Sequence, residues 1–275
     1  MIESFEIILG IIERGLIYAL VVMGVHITSR IIKFDDLSVE GSFGLGGAII
    51  AQTIVNGVPL SIGMPLALAA GAAAGLTTGL LHTKLKLNNL ISGIVVTTAL
   101  FSINLKIGGA NMTLAQKTTL FSYLPHPLFL LVFIVIGITG IISWFLKTEL
   151  GYLLYSVGDN EQMLANLGKS IDTYKMLALM LSNTLSALAG ALFVQYVGYF
   201  SIWANIGVLI IGLAGLILAE TISSTFGFAL CIGAIAYQAI ISTTFELQLD
   251  QDWNKLITAV LIVLLIIIKK IMSRN

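Results

Sequence analysis

This chain has very little charge. Only 10% of its 275 residues are Asp, Glu, Lys or Arg, against 57% hydrophobic, whereas a soluble domain carries about 25% charged residues. A large soluble core does not explain the shortfall, because such a core still needs a polar skin. Lipid as the outer solvent removes that need, and a mean hydropathy of +1.01 fits an integral membrane protein. The 14 basic and 14 acidic residues cancel, which argues against nucleic acid or another polyanion as partner. The single cysteine, Cys231, excludes an intrachain disulfide and says nothing of redox compartment. Common enzyme signatures are missing: no HExxH, GxSxG, CxxC or Walker A lysine motif. His26, His82 and His126 share no motif, so no metal or cofactor is expected in this chain. Met1 to Glu6 lack the basic start of a cleaved signal peptide, so insertion is expected to rely on the first spanning helix.

Long hydrophobic runs are what the chain has in abundance. A spanning helix needs about 20 apolar residues. Cutting the charge-free runs at turn signals such as Asn56-Gly57-Val58-Pro59 predicts an all-α, polytopic bundle of about nine spans in a single transmembrane domain, 1–275. The spans fall near 14–33, 41–57, 61–83, 88–105, 127–146, 173–197, 205–221, 226–245 and 254–270. With residues 147–175 placed in the cytoplasm, Arg30, Lys33, Lys84, Lys86, Lys147, Lys169, Lys175, Lys269, Lys270 and Arg274 lie inside. Arg14, Lys106, Lys117 and Lys255 lie outside or at outer helix ends. That bias predicts the N-terminus out and the C-terminus in. Small residues recur every fourth position at Gly71, Gly75 and Gly79, and at Ser182, Ser186 and Gly190. Such stripes serve close packing within a bundle or between two copies.

Asp35-Asp36-Leu37-Ser38-Val39-Glu40-Gly41-Ser42 puts three carboxylates before a glycine-rich apolar run. A charge at the bilayer centre costs about 2.5–3.5 kcal/mol or more, so these groups need an interface, a wet cavity or partners. Two readings fit: a short or broken helix beside a transport path, or a solvated turn with a helix-capping carboxylate. Asp36, Glu40, Ser42, Gln52, Asn104, Asn183, Gln195 and Glu220 are the candidates for lining a path. Gln238 has the same character. Each amide taken alone is more often an interhelical hydrogen bond. Glu220 reads as a partner for a basic group, a cavity group or a surface charge.

The polar loop at about 148–172 is the strongest functional clue. Asp159 or Asn160 can cap a short helix, Glu161 gives it an acidic first turn, and Gly168 can end it. Met163, Leu164 and Leu167 form a small apolar face, with Gly158 at the start. This is a surface suited to docking into another protein. A headgroup-binding helix would carry more Lys or Arg.

Several segments in order resemble the permease subunits of bacterial ATP-binding-cassette importers of the branched-chain amino acid and ribose type, nearest the tryptophan/tyrosine transport permeases. They are Asp36 to Phe43, Gly93-Ile94 with Ile103-Asn104, Gly158 to Gly168, Leu181-Ser182-Asn183 with Ala189 to Leu192, and Gly212-Leu213-Ala214 with Glu220. The resemblance implies a permease working as a pair, a homodimer in the bacterial inner membrane. Its partners are cytoplasmic ATPase subunits, which hold the ATP and magnesium, and an extracytoplasmic solute-binding protein. Residues 159–168 match the coupling helix that sits in the ATPase, so Leu164→Asp is expected to uncouple transport by ejecting an apolar contact. The binding protein is expected on the loops 111–125 and 199–205. Here Gly108 to Thr113 depart from the more polar or basic pattern of relatives, so the outer mouth does not identify the solute. The expected cargo is an aromatic or branched-chain amino acid. The main rival is an ion-coupled secondary transporter, which needs carboxylates at mid-membrane depth. Here the carboxylates fall at expected span ends, which counts against it.

Overall fold

A computed structural model describes residues 2–115, 117–123, 126–223, 226–246 and the isolated positions 256, 259, 260 and 263. Ten α-helices make up the described chain: α1 (Ile2–His26), α2 (Ser38–Val55), α3 (Leu60–Thr83), α4 (Asn89–Gly108), α5 (Pro127–Leu146), α6 (Glu149–Asp159), α7 (Glu161–Asn166), α8 (Ile171–Val197), α9 (Val208–Ile222) and α10 (Phe228–Glu246). Local chemistry sets their ends. Asn88 caps α4, its side chain accepting from Leu90 N–H at 3.1 Å. Pro127 opens α5 at the first helical position, where no N–H is needed. Gly198 closes α8 in a left-handed conformation, φ +79°.

Six of these stretches are long and apolar enough to cross a bilayer: Glu6–Ile31, Leu60–Thr83, Asn89–Gly108, Pro127–Leu146, Ile171–Val197 and Ile202–Ile222. The chain is an all-α helical, multi-pass membrane protein. The other expected spans differ. The one at 254–270 lies outside the described residues except at four positions. The first helix begins at Ile2 rather than near Arg14. The adjacent charges Glu13 and Arg14 mark no boundary, because Glu13 is buried and accepts a 2.9 Å hydrogen bond from the Tyr196 hydroxyl.

α2 explains the architecture. All of it except Glu40, Gln52 and Val55 is buried, because α3, α4 and α8 wrap it. After α1 the chain makes a π-helical turn, Ile27–Ile31. Lys33 then takes a left-handed backbone, φ +51°, and residues 33–36 have no regular secondary structure before α2 starts. The start of α2 meets Asn183, which lies about 18 Å along the ~40 Å length of α8. α2 therefore starts inside the protein, packed against the middle of α8.

Helices α2 and α8 approach closely at two glycines. A Cβ on Gly46 would overlap the Ala187 carbonyl, and one on Gly190 would overlap the Phe43 carbonyl. The Gly71, Gly75 and Gly79 stripe of α3 likewise faces α8, at Asn183 and Ala187, Leu179, and Met176. Both small-residue stripes pack inside one chain.

At one end of the bundle, a two-stranded antiparallel sheet joins β1 (Asn111–Thr113) to β2 (Tyr199–Ser201), with Met112 opposite Phe200. The opposite end carries the ion pairs. The Arg30 guanidinium grips Glu220 with two N–H groups, one of them at 3.1 Å. Lys33 meets Asp159 at 3.2 Å, and Lys175 meets Glu161 at 2.7 Å. We call this the basic end.

Candidate functional site

Three groups of residues answer the expectations from sequence. The first surrounds the buried start of α2. Asp36 is 4% exposed. One of its carboxylate oxygens accepts from the Ser38 N–H at 2.8 Å and from the Ser38 hydroxyl; the other accepts from Asn183 Nδ2 at 2.8 Å. Asn183 in turn accepts from the Ser42 hydroxyl at 2.6 Å and donates to the Leu179 carbonyl at 2.9 Å. Ser38 and Ser42, one turn apart, thus face α8 together, and the Ser186 hydroxyl donates to the Val39 carbonyl at 2.6 Å. This network lets a helix begin away from water, because the carboxylate satisfies one orphan N–H, that of Ser38, and complements the positive helix end. Of the two readings of this segment, the solvated turn does not fit, because Asp36 is buried, while its carboxylate does meet the first turn of α2. Asn104 belongs here too: its Nδ2 donates to the Gly41 carbonyl at 3.0 Å, and its Oδ1 is buried without a partner. Asn205, not anticipated from sequence, reaches the same place, both amides closing on Gly44.

The second group is a cavity of about 500 Å³ bounded by α1, α2, α8, α9 and α10. Its walls include Arg14, Tyr18, Glu40, Phe193, Tyr237 and Gln238. Glu40 is fixed there by accepting a 3.1 Å hydrogen bond from Gly207 N–H, where α9 begins. Tyr18 stacks on Phe43, ring centres 6.0 Å apart, and meets Phe193 at 5.8 Å. Only Glu40 and Gln238 of this lining were anticipated. Arg14 was missed because its charge suggests the end of a span. An ionisable residue within an apolar run was itself the available signal.

The remaining path candidates lie elsewhere. Gln195 is tied to the sheet end, its Oε1 accepting from Leu120 N–H at 3.1 Å and its Nε2 donating to the Ala191 carbonyl at 3.1 Å. Gln52 is half-buried in the last turns of α2. Glu220 is held by Arg30 at the basic end.

The third group is the α5–α8 loop. It forms two short helices, α6 and α7, where one was expected. Asn160 caps α7, its side chain accepting from Met163 N–H at 3.0 Å. Gly168 ends it with φ +69°, and Lys169 N–H reaches back to the Leu164 carbonyl at 3.1 Å. Asp159 and Glu161 pair with Lys33 and Lys175. Gly158 rests against the Ile31 carbonyl, where a Cβ would overlap the oxygen. The apolar face is also rearranged. Leu164 is wholly buried, whereas Met163 and Leu167 are 53% and 59% exposed. Leu164 is therefore the anchor of α7, and the outward knob is Met163 with Leu167. Burial also raises the pKa of the Tyr155 phenol, on α6, above its ordinary value.

Residues 7–266 match the sequence profile of the branched-chain amino acid transport system / permease component family. The chain belongs to that family. The permease is 38% identical over 262 residues to a tyrosine transport system permease protein of Clostridioides difficile, covering 93% of this chain and 89% of the relative. It is 26% identical over 273 residues to the autoinducer 2 import system permease protein of an Enterobacter species, covering 94% and 77%. With the ribose import permease protein of Escherichia coli it shares 25% over 228 residues, covering 77% and 68%. No solved structure matches. The resemblance carried by the sequence segments thus stands, and these relatives are permease components of transport systems rather than enzymes.

Proposed function

We propose that this permease is the membrane subunit of an ATP-binding-cassette importer that passes an aromatic or branched-chain amino acid, delivered by a solute-binding protein, into the cytoplasm. The observation that carries the reading is the α6–α7 segment. It is capped, buried through Leu164, wedged through Gly158 onto the end of α1, and presents Met163 and Leu167 outward. A partner that moved this segment would push directly on α1 and, through Arg30, on Glu220 of α9. ATP and magnesium belong to that partner ATPase. In this reading residues 1–275 form one transmembrane domain of nine spans in the bacterial inner membrane. The basic end is cytoplasmic, the N-terminus outside and the C-terminus inside, in keeping with the positive-inside bias. Two copies pair. The β1–β2 sheet, which draws residues 111–113 and 199–201 together, offers the outer landing for the binding protein. Asp36, Ser42, Asn104 and Asn183 line or brace the path around the start of α2, with Glu40 on the adjoining cavity. The name of the Clostridioides relative supports tyrosine as the first cargo to try.

The burial of Asp36 favours a second reading, ion-coupled secondary transport. The full set of hydrogen bonds on that carboxylate weighs against it as an exchanging site. Uptake of labelled L-tyrosine in cells separates the two. The importer loses uptake on ATP depletion and keeps it when an ionophore collapses the membrane potential; the reverse pattern would overturn this reading. Purification in mild detergent is expected to bring a nucleotide-binding ATPase along.

A further inference from the structure

We infer that the permease itself holds a selective site for the free amino-acid zwitterion: Arg14 takes the α-carboxylate, Glu40 takes the α-ammonium, and the aromatic wall takes the side chain. The inference rests on the importer reading, and adds that the membrane subunit discriminates its solute as well as conducting it.

The cavity volume, about 500 Å³, lies within the range of about 300–1,000 Å³ typical of small-molecule sites. Among the described residues its wall carries one cation, Arg14, and one anion, Glu40. A zwitterion leaving bulk water for such a cavity is best held where each end meets a counter-charge. A single anion or cation would be attracted by one wall group and repelled by the other. Arg14 presents a planar fork of N–H donors suited to a carboxylate. Glu40 is already oriented by the Gly207 N–H, and a carboxylate has lone pairs for further donors. Gln238, 7% exposed, adds a neutral polar group to the wall. Tyr18, Phe193 and Tyr237 supply flat apolar faces, and Tyr18 is held in place by its stack on Phe43. Offset or edge-on packing of a solute ring is the favoured contact with such faces. A sugar, by contrast, has no charges to meet this pair.

The test uses the full chain with its ATPase in lipid nanodiscs, without the binding protein. Labelled L-tyrosine is competed by unlabelled L-tyrosine, tyramine, 3-(4-hydroxyphenyl)propanoate and D-ribose. The unsubstituted chain is expected to bind L-tyrosine saturably. Each analogue lacking one charge should compete at least tenfold more weakly, and ribose not at all. Arg14→Gln should erase the difference between tyrosine and tyramine. Glu40→Gln should erase that between tyrosine and the propanoate. Equal competition by all analogues, or no saturable binding by protein that still performs ATP-dependent uptake with the binding protein when reconstituted in sealed liposomes, would overturn the site. Selective binding without any uptake would support the site and count against the importer reading. The analogue series requires no substitution, so a variant that fails to fold leaves the result decisive.

Discussion

Gly158 of α6 lies against the backbone carbonyl of Ile31, the last residue of the π-helical turn that ends α1. The loop between α5 and α8 is thereby seated on the first membrane helix without an intervening side chain. Lys33 and Asp159 close the same junction at 3.2 Å. Gly158→Ala has no room for its methyl group against that oxygen. Overpacking of this kind costs about 1–3 kcal/mol. The variant is expected to insert in the membrane, melt a few degrees lower, and lose most of its ATP-driven uptake, measured in parallel with ATPase co-purification.

The rearranged face of α7 makes a contrast between neighbours. Met163→Asp and Leu167→Asp alter exposed side chains, so melting temperature should hold while ATPase co-purification falls at least tenfold. Leu164→Asp places a charge at a wholly buried position and should lower the melting temperature in the isolated permease, before any partner is added. If the three behave alike, α7 is not the docking knob.

Asn183 bridges the start of α2 to α8. Asn183→Ala removes the donor to Asp36 and the acceptor for Ser42. Leaving buried polar groups unpaired costs about 1–3 kcal/mol each. Thermal unfolding in detergent should show a loss of several degrees, larger than that of Gln52→Ala, whose half-buried side chain lies near the far end of α2.

Glycines at different places should respond with opposite signs. Gly46→Ala and Gly190→Ala would drive α2 and α8 apart, and are expected to abolish a stable fold. Gly137 and Gly140 of α5 have open space, with nothing within 4 Å of where a methyl group would sit. Alanine there removes the glycine penalty of a helix interior, about 0.5–1 kcal/mol, so melting temperature should stay level or rise.

Much of this was readable in advance because it depends on local composition. The turn at Asn56 to Pro59, the start of α5 at Pro127, the cap at Asn160 and the stop at Gly168 all came out where the residues placed them. Orientation of side chains was less accessible. Met163, Leu164 and Leu167 share a helical pattern, but a six-residue helix does not by itself reveal which members face the protein. Arg14 shows the same limit in another form. A charge beside an apolar run reads as a boundary until the helix is seen to continue for a dozen residues before it.

The amino-acid sequence determined that the protein lives in lipid, where most of its helices fall, and which family it belongs to, since apolar length and short motifs are sums over neighbours along the chain. The tertiary structure alone decided which distant groups meet. Residues 32–36 carry Asp36 to Asn183 on α8, and α1 brings Arg14 to the cavity that Glu40 enters from α2. Partners separated by so much chain meet only through the packing of whole helices, and that packing leaves no local trace in the order of residues.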